Sequence, residues 1–72
     1  MAIFVDKVND TRFDVYNLKH QRLYCGATTV KIQTLQVDGN NVIVNCEGHR
    51  VFVYGPNDPS RPEQCWRMLR RY

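Results

Sequence analysis

Apolar and polar residues alternate through most of the first 54 positions of this 72-residue chain, the two-residue period of half-buried β-strands. The clearest stretch runs from Thr29 to Tyr54. Three alternating runs there are interrupted at Asp38-Gly39-Asn40 and at Glu47-Gly48, residues that tolerate the backbone of tight hairpin turns. The pattern predicts strands at about 2–8, 13–17, 21–25, 29–37, 41–46 and 49–54. A Gly39-Asn40 turn pairs Val37 with Val42 and Leu35 with Val44. A two-residue Glu47-Gly48 turn pairs Cys46 with His49, Val44 with Val51 and Val42 with Val53. Val30 and Ile32 alternate at even positions but Leu35 and Val37 at odd ones, so a β-bulge is expected near Gln33-Thr34. Upstream, a three-residue Leu18-Lys19-His20 loop pairs Val15 with Leu23 and Phe13 with Cys25, whereas a two-residue loop sets Val15 opposite Tyr24.

After a Pro-rich connector at 55–60 the period changes. Ser60-Arg61-Pro62-Glu63 reads as a capped helix start, Ser60 accepting from the first turn and Glu63 bonding back. Cys65, Trp66, Leu69 and Tyr72 recur at three- and four-residue spacing with Arg67, Arg70 and Arg71 on the other side, which predicts a helix over about 61–71. The expected fold is therefore mainly β: a small, strongly bent antiparallel meander or barrel of five to six strands with one C-terminal α-helix. That layout resembles SH3-like and other small-barrel modules in architecture alone, and such folds carry unrelated functions. Residues 1–72 are expected to form a single domain.

Composition narrows the classes. No run reaches membrane-spanning length, and Ile3-Phe4-Val5 is too short for a signal-peptide core. Together with an odd count of three cysteines, Cys25, Cys46 and Cys65, this leads to the expectation of a cytoplasmic protein with free thiols. The net charge of +3 is concentrated at one end, with Arg61, Arg67, Arg70 and Arg71 in the last twelve positions. Ser60 is the single serine, the carboxylates are scattered, and the glycines are isolated, so neither a hydrolytic constellation nor a phosphate-cradling loop is present. No cofactor and no small-molecule substrate is expected.

Candidate chemistry then falls on three groups. The expected registers leave Ile43, Phe52 and Tyr54 on a second sheet face beside Arg50, a surface for a protein partner or a second copy unless the helix covers it through Trp66 and Leu69. Tyr16, Arg22 and Tyr24 share an outer strip, with Asp14 among them, and with Arg67, Arg70 and Arg71 form the candidate nucleic-acid surface. Cys46 and His49, opposite each other, form the one pair with a reactive or metal-ligating flavour. Absence of catalytic motifs favours a non-enzymatic interaction module that binds a protein partner or itself. The alternative is a nucleic-acid-binding accessory protein using Arg and Tyr side chains on a small β-barrel.

Overall fold

The computed structural model describes residues 3–71. Its seven strands are β1 (Ile3–Asn9), β2 (Arg12–Asn17), β3 (Arg22–Ala27), β4 (Ile32–Asp38), β5 (Asn41–Cys46), β6 (Arg50–Pro56) and β7 (Trp66–Arg71). They form two antiparallel meanders, a three-stranded sheet in the order β1-β2-β3 and a four-stranded sheet in the order β4-β5-β6-β7. Alternation explains the core: Ile3, Phe13 and Val15 project from the first sheet onto Ile32, Val42, Val44, Cys46, Tyr54 and Trp66 of the second. On one side the sheets are linked, because β1 runs beside β4 and Ile32 N–H donates to Asp10 O at 2.6 Å. On the other side β3 pairs only with β2 and β7 only with β6. The expected SH3-like barrel is thus not closed.

The helix expected over 61–71 is absent, and that segment enters the sheet as β7. Ser60 caps nothing; its N–H and Oγ donate to Asp58 Oδ1 at 3.0 and 2.7 Å, and Arg61 N–H donates to Asp58 O. Asn57 N–H donates to Cys65 O at 2.9 Å and closes the loop, returning the chain alongside β6. The physical reason lies in β6, whose residues Val53 to Pro56 are buried and whose backbone groups need partners. A strand supplies them and a short helix does not, while a helix of this length is marginal without packing. Trp66 serves either period; buried at the head of β7, it donates its indole Nε1–H to Pro62 O at 2.7 Å. Gly55 permits the approach, since a Cβ there would collide with Asn41 and stand 2.8 Å from Leu69 Cδ1. Tyr72 of the expected helix face, and residue 2 of the expected first strand, lie outside the described residues.

Register follows the pattern in one hairpin and departs from it in two. β4 and β5 pair Val37 with Val42 and Leu35 with Val44 across a Gly39-Asn40 turn, and the register shifts at Gln33, between Ile32 and Thr34. β5 and β6, by contrast, are joined by three residues: Gly48 and His49 both adopt left-handed backbone, at φ +75° and +59°. Cys46 therefore faces Arg50, Val44 faces Phe52, and Val42 faces Tyr54. The Leu18-Lys19-His20 loop has the expected length, with Asn17 N–H donating to Gln21 O, but a bulge leaves Leu23 unpaired. Val15 consequently faces Tyr24, and Phe13 faces Gly26.

Candidate functional site

These register changes redistribute the candidate partner residues. Phe52 and Tyr54 belong to the inward face of β6, where Tyr54 is buried in the core and Phe52 is half-buried. Ile43, half-buried, faces Val53 on the opposite side of the sheet. Arg50 is exposed at the start of β6. The single apolar face expected from Ile43, Phe52 and Tyr54 therefore does not exist: a one-residue shift sends every side chain of a strand to the other face.

The aromatic strip divides in the same way. Tyr24 turns inward and stacks on Trp66, with ring centroids 5.3 Å apart and planes 13° from parallel. Tyr16 stays outside, opposite Phe4 on one neighbour and Arg22 on the other. Phe4, 51% exposed, lies parallel to the His20 ring at 6.3 Å. Alternation about Ile3 and Val5 is the sequence signal that places Phe4 outward. One row further along, Asp6 and Asp14 sit directly opposite each other, and the Tyr16 hydroxyl donates to Asp14 Oδ2 at 3.3 Å. Desolvation first, and then the Asp14 carboxylate, hold the Tyr16 hydroxyl above its ordinary pKa. An anionic backbone laid along this face would meet two carboxylates after one aromatic row.

Arg67 and Arg71 are exposed on β7 with Arg70, beside the exposed Met68 and Leu69. β7 and β3 flank the open side of the molecule. Their residues, WRMLRR and RLYCGA, contribute three arginines and one, with no acidic residue. β1 and β4, on the joined side, together hold Lys7 against Asp6 and Asp38. Positive charge thus gathers along β3 and β7, the edge strands of the open side.

At one end of this side an open groove of about 490 Å³ is lined by Thr29, Val30, His49, Arg50, Val51, Phe52 and Arg71. The pairings account for it: Arg71 faces Phe52 across β6–β7, and Arg50 lies two residues from Phe52 on the same face of β6. His49 joins the lining from the turn, held by a left-handed backbone that few non-glycine residues adopt. No one motif in the sequence carries this grouping, because it needs both β7 and the three-residue turn.

Cys46 and His49 are not cross-strand partners, since Arg50 takes the place expected for His49. Cys46 is buried, and that burial pushes its thiol above the ordinary range, against the opposing pull of a Thr28 hydrogen bond and of Arg50. A thiol so placed is a poor nucleophile at neutral pH. Cys25 and Cys65 are exposed. Among the described residues no three His, Cys, Asp or Glu side chains gather as metal ligands, and no helix is long and apolar enough to cross a membrane.

No protein-family model, no curated protein and no solved structure matches this chain.

Proposed function

We propose that this chain is a non-enzymatic binding module that takes up an extended, acidic segment of a partner protein along its open β3/β7 side. The carrying observation is the coincidence of two unpaired strand edges with four arginines and no carboxylate on those strands. An edge strand offers a row of backbone donors and acceptors to an incoming strand, which supplies affinity, and the side chains alongside select the partner. Charge does the selecting here. A second copy of β7 laid antiparallel would bring arginines against arginines, whereas an acidic strand meets its complement; such steering acts chiefly on partner choice and association rate.

The surroundings favour a protein over a nucleic acid. Base stacking requires free rings interleaved with cations, yet Tyr24 is occupied by Trp66 and the Phe4–Tyr16 row runs into Asp6 and Asp14. Binding is favoured over turnover because Ser60 is engaged with Asp58 and Cys46 is buried with a raised thiol pKa.

Selection of random peptides on the immobilised full chain, followed by mapping of the winners onto backbone amide resonances, tests this reading. Selected peptides should be rich in Asp and Glu, perturb β7 and β3 amides, and bind more weakly as salt is raised. Winners without acidic bias, or winners that map to the Phe4–Tyr16 face, would overturn it.

A further inference from the structure

The groove between the β6–β7 pair and the Thr29-Val30 segment has its own chemistry, separate from the strand edges. Arg50 and Arg71 line one concavity together with His49 and Thr29, and no acidic residue is among its lining. Neither arginine has a carboxylate partner among the described residues, where the recorded ion pairs are those of Lys7 and Lys31 with Asp10. Two cations that line one groove repel one another, and an anion held between them turns that repulsion into attraction. Each planar guanidinium presents a fork of donors that matches carboxylate or phosphate oxygens two at a time. A single carboxylate satisfies one such fork. Two forks and a hydroxyl fit a dianion with three terminal oxygens.

The remaining lining decides what the anion is attached to. Phe52 is half-buried, and its ring takes part in none of the aromatic pairs formed by Phe4, Phe13, Tyr24, Tyr54, Trp66 and His20. Val30 and Val51 lie beside it in the lining. A groove of about 490 Å³ exceeds the need of a bare tetrahedral anion and falls within the range of small-ligand sites. We infer that this groove binds a small organic phosphate monoester, the phosphoryl group held by Arg50 and Arg71 with Thr29, and a flat ring lying against Phe52 and Val30. The ligand class is that of a nucleoside monophosphate. Nothing in this assignment depends on strand addition at β7, so the two proposals stand or fall separately.

The test is an amide-resonance titration of the full chain with adenosine 5′-monophosphate, adenosine and inorganic phosphate. The nucleotide should shift Thr29, Val30, Arg50, Phe52 and Arg71 in a saturable way. Inorganic phosphate should move the same resonances at roughly tenfold higher concentration, and adenosine should move none at those concentrations. Arg50→Gln and Arg71→Gln should each weaken nucleotide binding about tenfold, the scale of a lost charge-assisted hydrogen bond, with dispersed spectra reporting an intact fold. Arg61→Gln, outside the groove, should leave it unchanged. Three results would overturn the assignment: unsaturable shifts scattered over lysines and arginines elsewhere, equal affinity for phosphate and nucleotide, or an Arg61→Gln effect as large as those of the groove variants.

Discussion

Tyr24 and Trp66 stack nearly parallel across the open side, 5.3 Å between ring centroids, and so tie β3 to β7 where no backbone ladder joins them. The contact closes one end of the core beneath a pair of edges that remain available. Trp66 adds a second tie through its indole bond to Pro62 O, which fixes the 57–65 loop to the strand that follows it. One side chain therefore organises the loop, the last strand and the junction of the sheets.

Replacing it should be severe. Trp66→Ala removes a buried aromatic and its hydrogen bond, and is expected to cost about 3–5 kcal/mol, a large share of the stability of a domain this small. Trp66→Phe retains an aromatic ring for stacking on Tyr24 and leaves Pro62 O without its donor, so about 1–2 kcal/mol is expected. Urea denaturation followed by circular dichroism measures both. A cost below about 1 kcal/mol for the alanine variant would mean that β7 contributes little to folding.

Gly26 sits opposite Phe13, and a Cβ at that position would overlap the Phe13 ring, which is fully buried. The β-strand backbone itself would accept alanine, so the penalty is one of overpacking: Gly26→Ala should destabilise by about 1–3 kcal/mol. Phe13→Leu removes ring volume at the point of collision. The double variant should therefore be less destabilised than the sum of the two single changes, a non-additivity that the same urea curves would reveal. Strict additivity would show that the strand moves aside instead.

Legibility in the sequence ended where local and long-range demands diverged. The β4–β5 hairpin could be read in full because Gly39-Asn40 fixes the turn and Leu35, Val37, Val42 and Val44 leave one register that buries all four. The β5–β6 register was not legible, since a positive φ at His49 lengthens the turn by one residue and no glycine marks that position. Leu23 hides a bulge for a similar reason: the Leu23-Tyr24 pair offers an apolar side chain to the core in either register. The last strand was lost to a coincidence of periods. Trp66 and Leu69 fit a helix as well as a strand, and the deciding term, the unpaired edge of β6, is visible only after the sheet is built. Because the open side and the groove both depend on β7, neither site could be assembled before that strand was placed.

Burial also sets a pH dependence. Desolvation raises the pKa of Cys46, Tyr24 and Tyr54, with Cys25 and Tyr54 adding to it at Tyr24, and Cys46 adding at Tyr54 against an opposing Arg71. For an acid whose pKa is higher folded than unfolded, the folded state favours the neutral form. The stability this supplies is complete below the unfolded values of about 8.5 for thiols and 10 for phenols and is lost as pH rises through the folded ones. Urea midpoints should thus fall above about pH 9, and Cys46→Val should blunt the first part of that fall. A thiol reagent at pH 7 should label the exposed Cys25 and Cys65 quickly and Cys46 only on unfolding. Rapid labelling of all three would contradict the burial of Cys46.

The arginines of β7 carry the final prediction, because they do two separable things at one edge. In the proposed mode their shared sign would keep copies apart, and their positive sign would attract an acidic strand. Arg67→Thr with Arg71→Thr leaves an exposed edge bearing Met68 and Leu69 with little charge and good strand propensity, so light scattering should show self-association at concentrations where the parent is monomeric. Arg67→Glu with Arg71→Glu makes the β7 edge mixed in charge, Arg70 among acids, while presenting carboxylates to any acidic ligand. That variant should lose the acidic peptides selected by the parent and gain basic ones. If the threonine variant remains monomeric and the glutamate variant still binds acidic peptides, the edge of β7 is not where this protein meets its partner.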